Sequence, residues 1–380
     1  MLFALVASSV YLGMNWYVLY RLFRLFALGR GGWFYLALAL LTLSLVSALT
    51  LESRFGNYLT GVFFTLAVTW LGLCWLLLWI LLAQQILALV IPAPQRMWAI
   101  GVCGLAASLA LYAGINARTI TIRRELIPHL PLRVAHLSDI HIGSIGAAAL
   151  DDIIAKTNAL KPDVILITGD LFDNANPRTR AIATRLKTFA APVMFTSGNH
   201  EEYTGYENVQ QMLAETRLRW LRNEMIEFNG IRIIGVDNSY GTELMQSVLG
   251  RTPPSPAFTI LMNHQPRGFD IVARQRISLT LSGHVHAGQI WPFNYVVGLF
   301  YPYLKGLHEN AGSFLNVSTG TAFWGPPLRL GSHSEIVFLG PRPRDHYQAC
   351  SPGAPEICCL VWRAVSKPWA GRAGTRRETI

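Results

Sequence analysis

Charge is the first thing missing. Residues 1–20, 31–50, 55–95 and 97–117 contain no Asp, Glu, Lys or Arg. Over the whole chain charged residues make up 14%, against about 25% in an ordinary soluble domain. The deficit falls almost entirely before Arg118, which excludes one uniformly soluble domain and divides the chain into an apolar N-terminal part and a globular remainder. Cysteine is scarce too. Cys74 and Cys103 lie in apolar stretches, Cys350, Cys358 and Cys359 lie near the C-terminus, and none falls between residues 120 and 340. The globular part therefore has neither a disulfide framework nor a thiolate zinc site. It also lacks a P-loop, a dinucleotide glycine fingerprint and a Ser-His-Asp nucleophile elbow. The net charge of +10 is not accompanied by Lys/Arg runs interleaved with aromatics, so nucleic acid is not an expected partner. Much of the excess flanks apolar stretches or lies from Pro341 onward, where seven Arg/Lys face three Asp/Glu, as membrane-flanking and tail charge does.

What replaces charge is apolar length. Met1–Tyr20, Gly32–Thr50, Thr60–Leu82 and Met97–Asn116 approach or meet the roughly 20 residues that span a bilayer core as a helix. Residues 1–117 read as a multi-pass membrane region of about four helices. Three is the count if the first is re-entrant or poorly inserted. A cleaved signal peptide fits poorly, since no basic stretch precedes the first run and three more follow. Gln84–Gln85 would mark an exit from lipid, and Pro92 and Pro94 break the helix. Trp16, Tyr17, Trp33, Tyr58 and Trp98 sit near the ends, as interfacial anchors do. The arginines do not settle orientation: Arg21, Arg24, Arg30 and Arg96 on one side balance Arg54, Arg118, Arg123 and Arg124 on the other. The tight first loop, with three arginines and no acid, reads as cytoplasmic, which puts the globular domain on the extracytoplasmic side. A transporter or channel needs ionisable groups within its spans, and these spans have none.

From Arg133 the pattern changes to short apolar runs ending in polar residues and glycine. Arg133–Leu137, Val164–Thr168, Val193–Thr196, Ile231–Val236, Phe258–Met262 and Ile277–Leu281 read as strands, and Ala147–Leu160 and Arg178–Phe189 have helical spacing. Strand–helix alternation predicts a layered α/β domain at 130–340, with a mixed sheet or two facing sheets. Residues 345–380 read as a disordered basic tail.

The residues that follow the strands carry the chemistry. They are Ser138-Asp139-Ile140-His141, Gly169-Asp170-Leu171-Phe172-Asp173, Gly198-Asn199-His200-Glu201, Asn263-His264-Gln265-Pro266 and Gly283-His284-Val285-His286. Ligands in layered α/β folds bind beyond the carboxyl ends of strands. Carboxylate, amide oxygen and imidazole together suit first-row divalent ions such as Mn, Fe, Zn or Co. One histidine alone would be structural more often than not. Five independent segments supplying ligand types at strand ends, each beside a glycine or proline, make metal binding the stronger reading.

This ordered motif set, Asp139-x-His141, Gly169-Asp170-x-x-Asp173, Gly198-Asn199-His200-Glu201, His264 and Gly283-His284-x-His286, resembles that of the calcineurin-like metallophosphoesterases. The surroundings of His264-Gln265-Pro266 and of His284 to Gln289 look like the membrane-associated bacterial branch of that family. The resemblance implies two facing mixed β-sheets flanked by helices, a four-layer domain with a two-metal site at one end. It also implies that Asp139, His141 and His286 hold one ion, Asn199, His264 and His284 the other, and that Asp170 bridges them. His200 would not be a ligand but would protonate or stabilise the leaving oxygen, making His200 and Asp170 the catalytic pair. The implied reaction is hydrolysis of a phosphate mono- or diester or pyrophosphate by a two-metal, bridging-hydroxide mechanism. The membrane part makes a lipid-linked substrate attractive; a soluble nucleotide diester is the alternative. A non-catalytic metal-binding scaffold would have lost His200 or a ligand, and none is lost.

Around this set, Asp173 either orients a neighbour or caps its turn. Glu201 or Glu202 are candidates to fix a histidine tautomer. Tyr301, Tyr303, Phe323 and Trp324 are expected to pack, with a substrate entrance as the alternative. His308 and His333 are expected to be structural, and the Asn316-Val317-Ser318 sequon to be a chance match.

Overall fold

The computed structural model describes residues 2–342; the expected tail at 345–380, with Cys350, Cys358 and Cys359, lies outside the described residues. Four helices come first: α1 (Leu2–Leu25), α2 (Gly32–Phe55), α3 (Tyr58–Leu87) and α4 (Gln95–Arg118). Among the described residues α2, α3 and α4 are long and apolar enough to cross a membrane. The turn from α2 to α3 follows from its sequence. Gly56 takes the left-handed conformation that ends α2 (φ 53°), and Asn57 and Thr60 exchange the two bonds of a capping box at the start of α3. Gln84 and Gln85 do not end α3. Both amides face α1, where Gln84 accepts from Arg21 and Gln85 donates to Tyr17, and the helix stops only before the Pro92–Pro94 stretch.

The globular part then runs β1 (Ile120–Ile127), β2 (Val134–Leu137), α5 (Ala147–Ala159), β3 (Val164–Thr168), α6 (Pro177–Ala183), β4 (Val193–Thr196), α7 (Asn199–Thr204), α8 (Tyr206–Ala214) and β5 (Leu218–Trp220). It continues with β6 (Glu224–Phe228), β7 (Ile231–Val236), α9 (Glu243–Arg251), β8 (Thr259–Asn263), α10 (Phe269–Arg274), β9 (Leu279–Ser282), α11 (Phe293–Gly298), β10 (Gly306–Asn310), β11 (Ser313–Val317) and β12 (Ser334–Pro341). The strands form two six-stranded mixed sheets, ordered β1-β12-β2-β3-β4-β5 and β10-β11-β9-β8-β7-β6. Val134, Val164, Leu166 and Met194 of the first sheet meet Ile233, Ile260, Met262 and Leu281 of the second in one apolar core. A second core on the outer face of the first sheet includes residues of α5, α6 and α8, such as Leu150, Ile182 and Val209. On the outer face of the second sheet Met245 and Val248 of α9 and Val272 of α10 do the same. The result is the expected four-layer arrangement. β2 and β3 are buried along their whole length, which is why β3 reads as an apolar run rather than an alternating one, and β2 does so apart from its buried His136.

The helices and this domain form one compact unit. At the end of α2 the buried Glu52 carboxylate lies 3.5 Å from the Arg178 guanidinium, and the Glu52 carbonyl accepts from Asn176 at 2.9 Å. At the end of α4 Asn116 donates to the carbonyls of Arg329 (2.9 Å) and Ser332 (2.8 Å). Between these polar clasps Leu328 and Ile290 pack with Leu76 of α3 and Ala113 of α4.

Candidate metal centre

Five strand ends converge where the carboxyl edges of the two sheets meet. The turn after β2 lies along the turn after β3, with His141 N–H donating to the Asp170 carbonyl at 3.0 Å. The turn after β9 reaches the end of β8, with Gly283 N–H donating to the His264 carbonyl at 2.9 Å. Asp139, His141, Asp170, His284 and His286 all have φ between 48° and 70°. Non-glycine residues seldom adopt that left-handed region, and strain of this kind persists where function holds it. Two glycines are required by close approach. A Cβ on Gly198 would run into the Asp170 carboxylate, and one on Gly283 would run into Ser138 and Asp139.

Three sets of possible ligand atoms result, each within 4.8 Å of one another. In His141, Asp173 and His200 the Asp173 carboxylate already joins the two rings, which leaves two groups, Asp139, His141 and His286, and Asp170, His264 and His284. Asn199 joins the second group, its Oδ1 3.2 Å from Nε2 of His264. Tautomers can be read from the partners. Nδ1 of His264 lies 2.7 Å from the Thr168 carbonyl, which can only accept, so Nδ1 is the donor and a neutral ring has its lone pair on Nε2. That lone pair points at Asp170 Oδ2 (3.2 Å), Asn199 Oδ1 (3.2 Å) and His284 Nδ1 (3.2 Å). Nδ1 of His141 is likewise committed to the Asp173 carboxylate at 2.7 Å. Its Nε2 faces His286 Nε2 at 3.3 Å and Asp170 Oδ2 at 3.9 Å. In the second group these acceptors aimed at one another are repulsive unless a positive charge stands among them, so that donor set fits a cation. In the first, Arg329 faces Nδ1 of His286, so the neutral ring has its hydrogen on Nε2, 3.3 Å from Asp139 Oδ1, and the fit there rests on the carboxylate and imidazole donor types. Asp170 Oδ2 belongs to both.

The electrostatics agree. Burial opposes charge on His264, yet Asp170 and Asp139 outweigh it and push its pKa up to about 9. The site therefore draws positive charge to this spot, whether as a proton or as a metal ion. His284, buried beside that charge, is pushed down to about 3, and Asp170 is held well below the usual carboxylate range by the histidines around it, against its burial.

The supporting residues have distinct tasks. Asp173 Oδ1 receives His141 Nδ1 and also lies 2.9 Å from His200 Nδ1. Its Oδ2 accepts from Ser144 N–H (2.9 Å) and Oγ–H (2.6 Å), so it orients its neighbours. Burial works against a charged His200, but Asp170 and Asp173 outweigh it and raise its pKa to about 9. Glu201 fixes no histidine tautomer. It accepts from the backbone N–H groups of Asp170, Leu171, Phe172 and Gly198 at 2.7–3.0 Å and so clamps the turn that presents Asp170; its pKa is raised to about 6, by burial first and then by Asp170.

Arg329 is the residue that sequence reasoning missed. It is fully buried, donates to the carbonyls of Ala322 and His333, and lies 3.0 Å from Nδ1 of His286. Burial does most to keep His286 from protonating, Asp139 works against it, and the Arg329 charge adds to the lowering. No strand-end motif marks it; a lone arginine in an otherwise apolar Pro-Pro-Leu-Arg-Leu stretch is the only signal. Tyr301 and Trp324 stand at the site, their rings 5.3 Å from His284 and 5.5 Å from His200, whereas Phe323 is buried in the core and Tyr303 packs on Phe269. His308 and His333 belong to neither group. His333 instead contacts Asn116 at 2.7 Å. Asn316 is fully buried against His136, out of reach as a glycosylation acceptor.

Residues 132–288 match the family described as calcineurin-like phosphoesterase. A Bos taurus relative named as a transmembrane protein with metallophosphoesterase domain is 36% identical over 241 residues, 55% of this chain and 52% of the relative. A Danio rerio protein of the same name is 33% identical over 265 residues, 61% of this chain and 60% of the relative. A Helicobacter pylori protein named as an uncharacterized metallophosphoesterase is 32% identical over 226 residues, 56% of this chain and 60% of the relative. The chain thus spans between 52% and 60% of the length of these relatives.

Proposed function

We propose, from the premise that this chain carries a calcineurin-like metallophosphoesterase domain, that it is a membrane-anchored, metal-dependent hydrolase of phosphoesters with two divalent ions at its centre. The observation that carries the two-ion reading is Asp170 Oδ2, 3.2 Å from His264 Nε2 and 3.9 Å from His141 Nε2, with Nδ1 of each ring committed to an acceptor elsewhere. A carboxylate so placed can serve two cations at once. Asp139, His141 and His286 would hold the first ion, Asn199, His264 and His284 the second, and Asp170 would serve both. The mixed O and N donors suit Mn, Fe or Zn.

Ions bound there supply neutralisation of the phosphate charge and an acidified water as nucleophile. The chain supplies the rest. His200, whose pKa Asp170 and Asp173 raise against its burial, is placed to give a proton to the departing oxygen as the P–O bond breaks. Asp173 holds that ring by Nδ1 and, through the same oxygen, the ring of His141. The apolar helices α2 to α4 support a multi-pass anchor.

The test is hydrolysis of a soluble aryl phosphate ester by the purified full-length protein. Activity should vanish with a chelator and return with Mn²⁺, with metal analysis giving about two ions per chain. Chelator-resistant turnover, or a protein that binds no divalent ion, would overturn the proposal.

A further inference from the structure

The metal centre opens onto a cavity of about 590 Å³ whose other wall belongs to the apolar helices. Met14 of α1 and Leu71, Gly72 and Trp75 of α3 line one side, and Val296 and Phe300 in and after α11 the other; the floor is His284 and His286. The level at which this happens matters. Trp75 lies about 26 Å along α3 from Tyr58, at 1.5 Å per residue. Val46 and Leu49 of α2 and Leu111 and Ile115 of α4 are exposed, so the apolar belt on the helix surfaces reaches to within about two turns of Arg54 and Arg118. Ile290 and Leu328 meet α3 and α4 at Leu76 and Ala113, inside that belt. Beside them α11 and its flanks leave Trp291, Tyr295, Leu299 and Phe300 exposed, Leu299 at 80% and Phe300 at 65%. A helix end that presents such residues next to membrane-spanning helices fits lipid rather than water.

We infer that the substrate is a membrane lipid with a phosphoester in its head, whose hydrocarbon chain lies in the groove between α1, α3 and α11 while its phosphate reaches His284 and His286. This rests on the phosphoesterase reading and on membrane insertion of the helices. The groove is apolar along the helices and cationic only near the metal-site floor, where the Arg267 guanidinium lies 4.2 Å over the Tyr301 ring. An amphiphile with one charged end has that same polarity. A soluble nucleotide or sugar phosphate would leave the apolar wall without a partner. A lipid enters sideways from the bilayer and needs no transfer through water.

The full-length protein in nanodiscs with Mn²⁺ is incubated with a non-hydrolysable diacyl phosphonate analogue of phosphatidic acid, bearing a diazirine in one chain, and is then irradiated. Adducts are expected on the peptides covering Leu71–Trp75 and Phe293–Tyr301. They should be suppressed by excess unlabelled phosphonate lipid and not by diacylglycerol with the same chains. Labelling that spreads over the outer face of α2 at Leu36 and Leu40, and that neither lipid suppresses, would overturn the inference. In a second arm Val296→Glu puts a charge in the groove away from the metal centre. It should lower kcat/KM on dioleoyl phosphatidic acid by about ten-fold or more and leave hydrolysis of p-nitrophenyl phosphate, a soluble monoester of the same class, unchanged. No loss on the lipid, with the soluble ester still cleaved, contradicts the proposed chain path. If the variant loses both activities, the adduct map on the unmodified protein decides. A wild-type protein inactive on the soluble ester sinks the phosphoesterase reading. One active on it, but with unsuppressed labelling, sinks only the lipid.

Discussion

Asp173 is the most informative single position, because one carboxylate serves four donors. Its Oδ1 takes Nδ1 of His141 and of His200, and its Oδ2 takes N–H and Oγ–H of Ser144. Asp173→Asn keeps the shape but offers one acceptor oxygen. If that oxygen faces the histidines, the new NH₂ group points at the Ser144 N–H, donor against donor. If it faces Ser144, both imidazole N–H groups lose their acceptor. The first orientation costs least and leaves one unsatisfied donor, worth about 1–3 kcal/mol. It also removes the negative charge that fixes the tautomer of His141 and helps hold the His200 pKa near 9. Removing an orienting carboxylate behind a ligating histidine typically lowers metal affinity by about 10–100-fold, which is about 1.4–2.7 kcal/mol. The expected outcome is a Mn²⁺ affinity reduced within that range by calorimetry. In the metal-saturated enzyme kcat should also fall, and the alkaline limb of the pH–rate profile should move to lower pH as His200 gives up its proton more readily. A variant with wild-type Mn²⁺ affinity and an unmoved alkaline limb would refute this reasoning, because Asp173 would then be only a turn residue.

Three further outcomes follow from the same geometry. His200→Ala should retain both ions by metal analysis yet lose about 10²–10⁴-fold in turnover, the usual range for a general acid; loss of an ion instead would make His200 a ligand. Arg329→Met strands the carbonyls of Ala322 and His333 that the guanidinium now serves, so thermal unfolding should report a loss of about 1–3 kcal/mol, and an unchanged melting temperature would contradict its structural weight. His136 is buried, bonded to Thr168 and Asn316, and its pKa is pushed down to about 3, first by burial and then by Arg123. The folded state therefore keeps it neutral while the unfolded chain protonates near pH 6.5. Its contribution is whole above that pH and is lost as pH falls toward 3, about 2 kcal/mol by pH 5. His136→Gln should flatten that part of the stability–pH curve, and an equally steep curve would count against it.

The donor set of the metal centre was legible because its residues follow apolar strands in a fixed order. β3, β4 and β7 are bounded as their apolar runs predict, and β2, β8 and β9 differ only at their ends. What was not legible shares one physical feature: it depends on partners distant in sequence. β1 carries three charged residues in a row, Ile-Arg-Arg-Glu-Leu, and becomes a strand by pairing in register with β12, Ile120 with Ser334 through Ile127 with Pro341. Its Arg123 is half-buried because Glu335 and Asn316 receive it. Arg329 has no spacing to mark it, since its partners are carbonyls and carbonyls have no sequence signal. Tyr301 and Trp324 looked like packing residues because an aromatic at a cavity mouth and one in a core read the same along the chain.

The sharp break in composition at Arg118 invites the conclusion that anchor and enzyme are separate parts, since every candidate ligand comes after it. Packing argues otherwise. Asn116, two residues before the end of α4, spends its amide on two carbonyls and a histidine of the loop that also carries Arg329. Arg329 lies against His286, so a hydrogen-bonded path runs from the apolar helix α4 to a proposed metal ligand. On the other side of the centre, Gln289 bonds the carbonyls of Trp324 and Pro326, and Pro326 and Leu328 lie against Gly72 of α3, where a Cβ would come within 3.0 Å and 2.7 Å of them. Gly72 is therefore small because the domain packs there. Composition records which solvent each segment meets, lipid or water. It is silent on contacts between segments that meet different solvents, and those contacts form the wall beside His284 and His286. An anchor that only localised an enzyme would need none of them, whereas one that shapes the entry of a substrate from the bilayer needs them all.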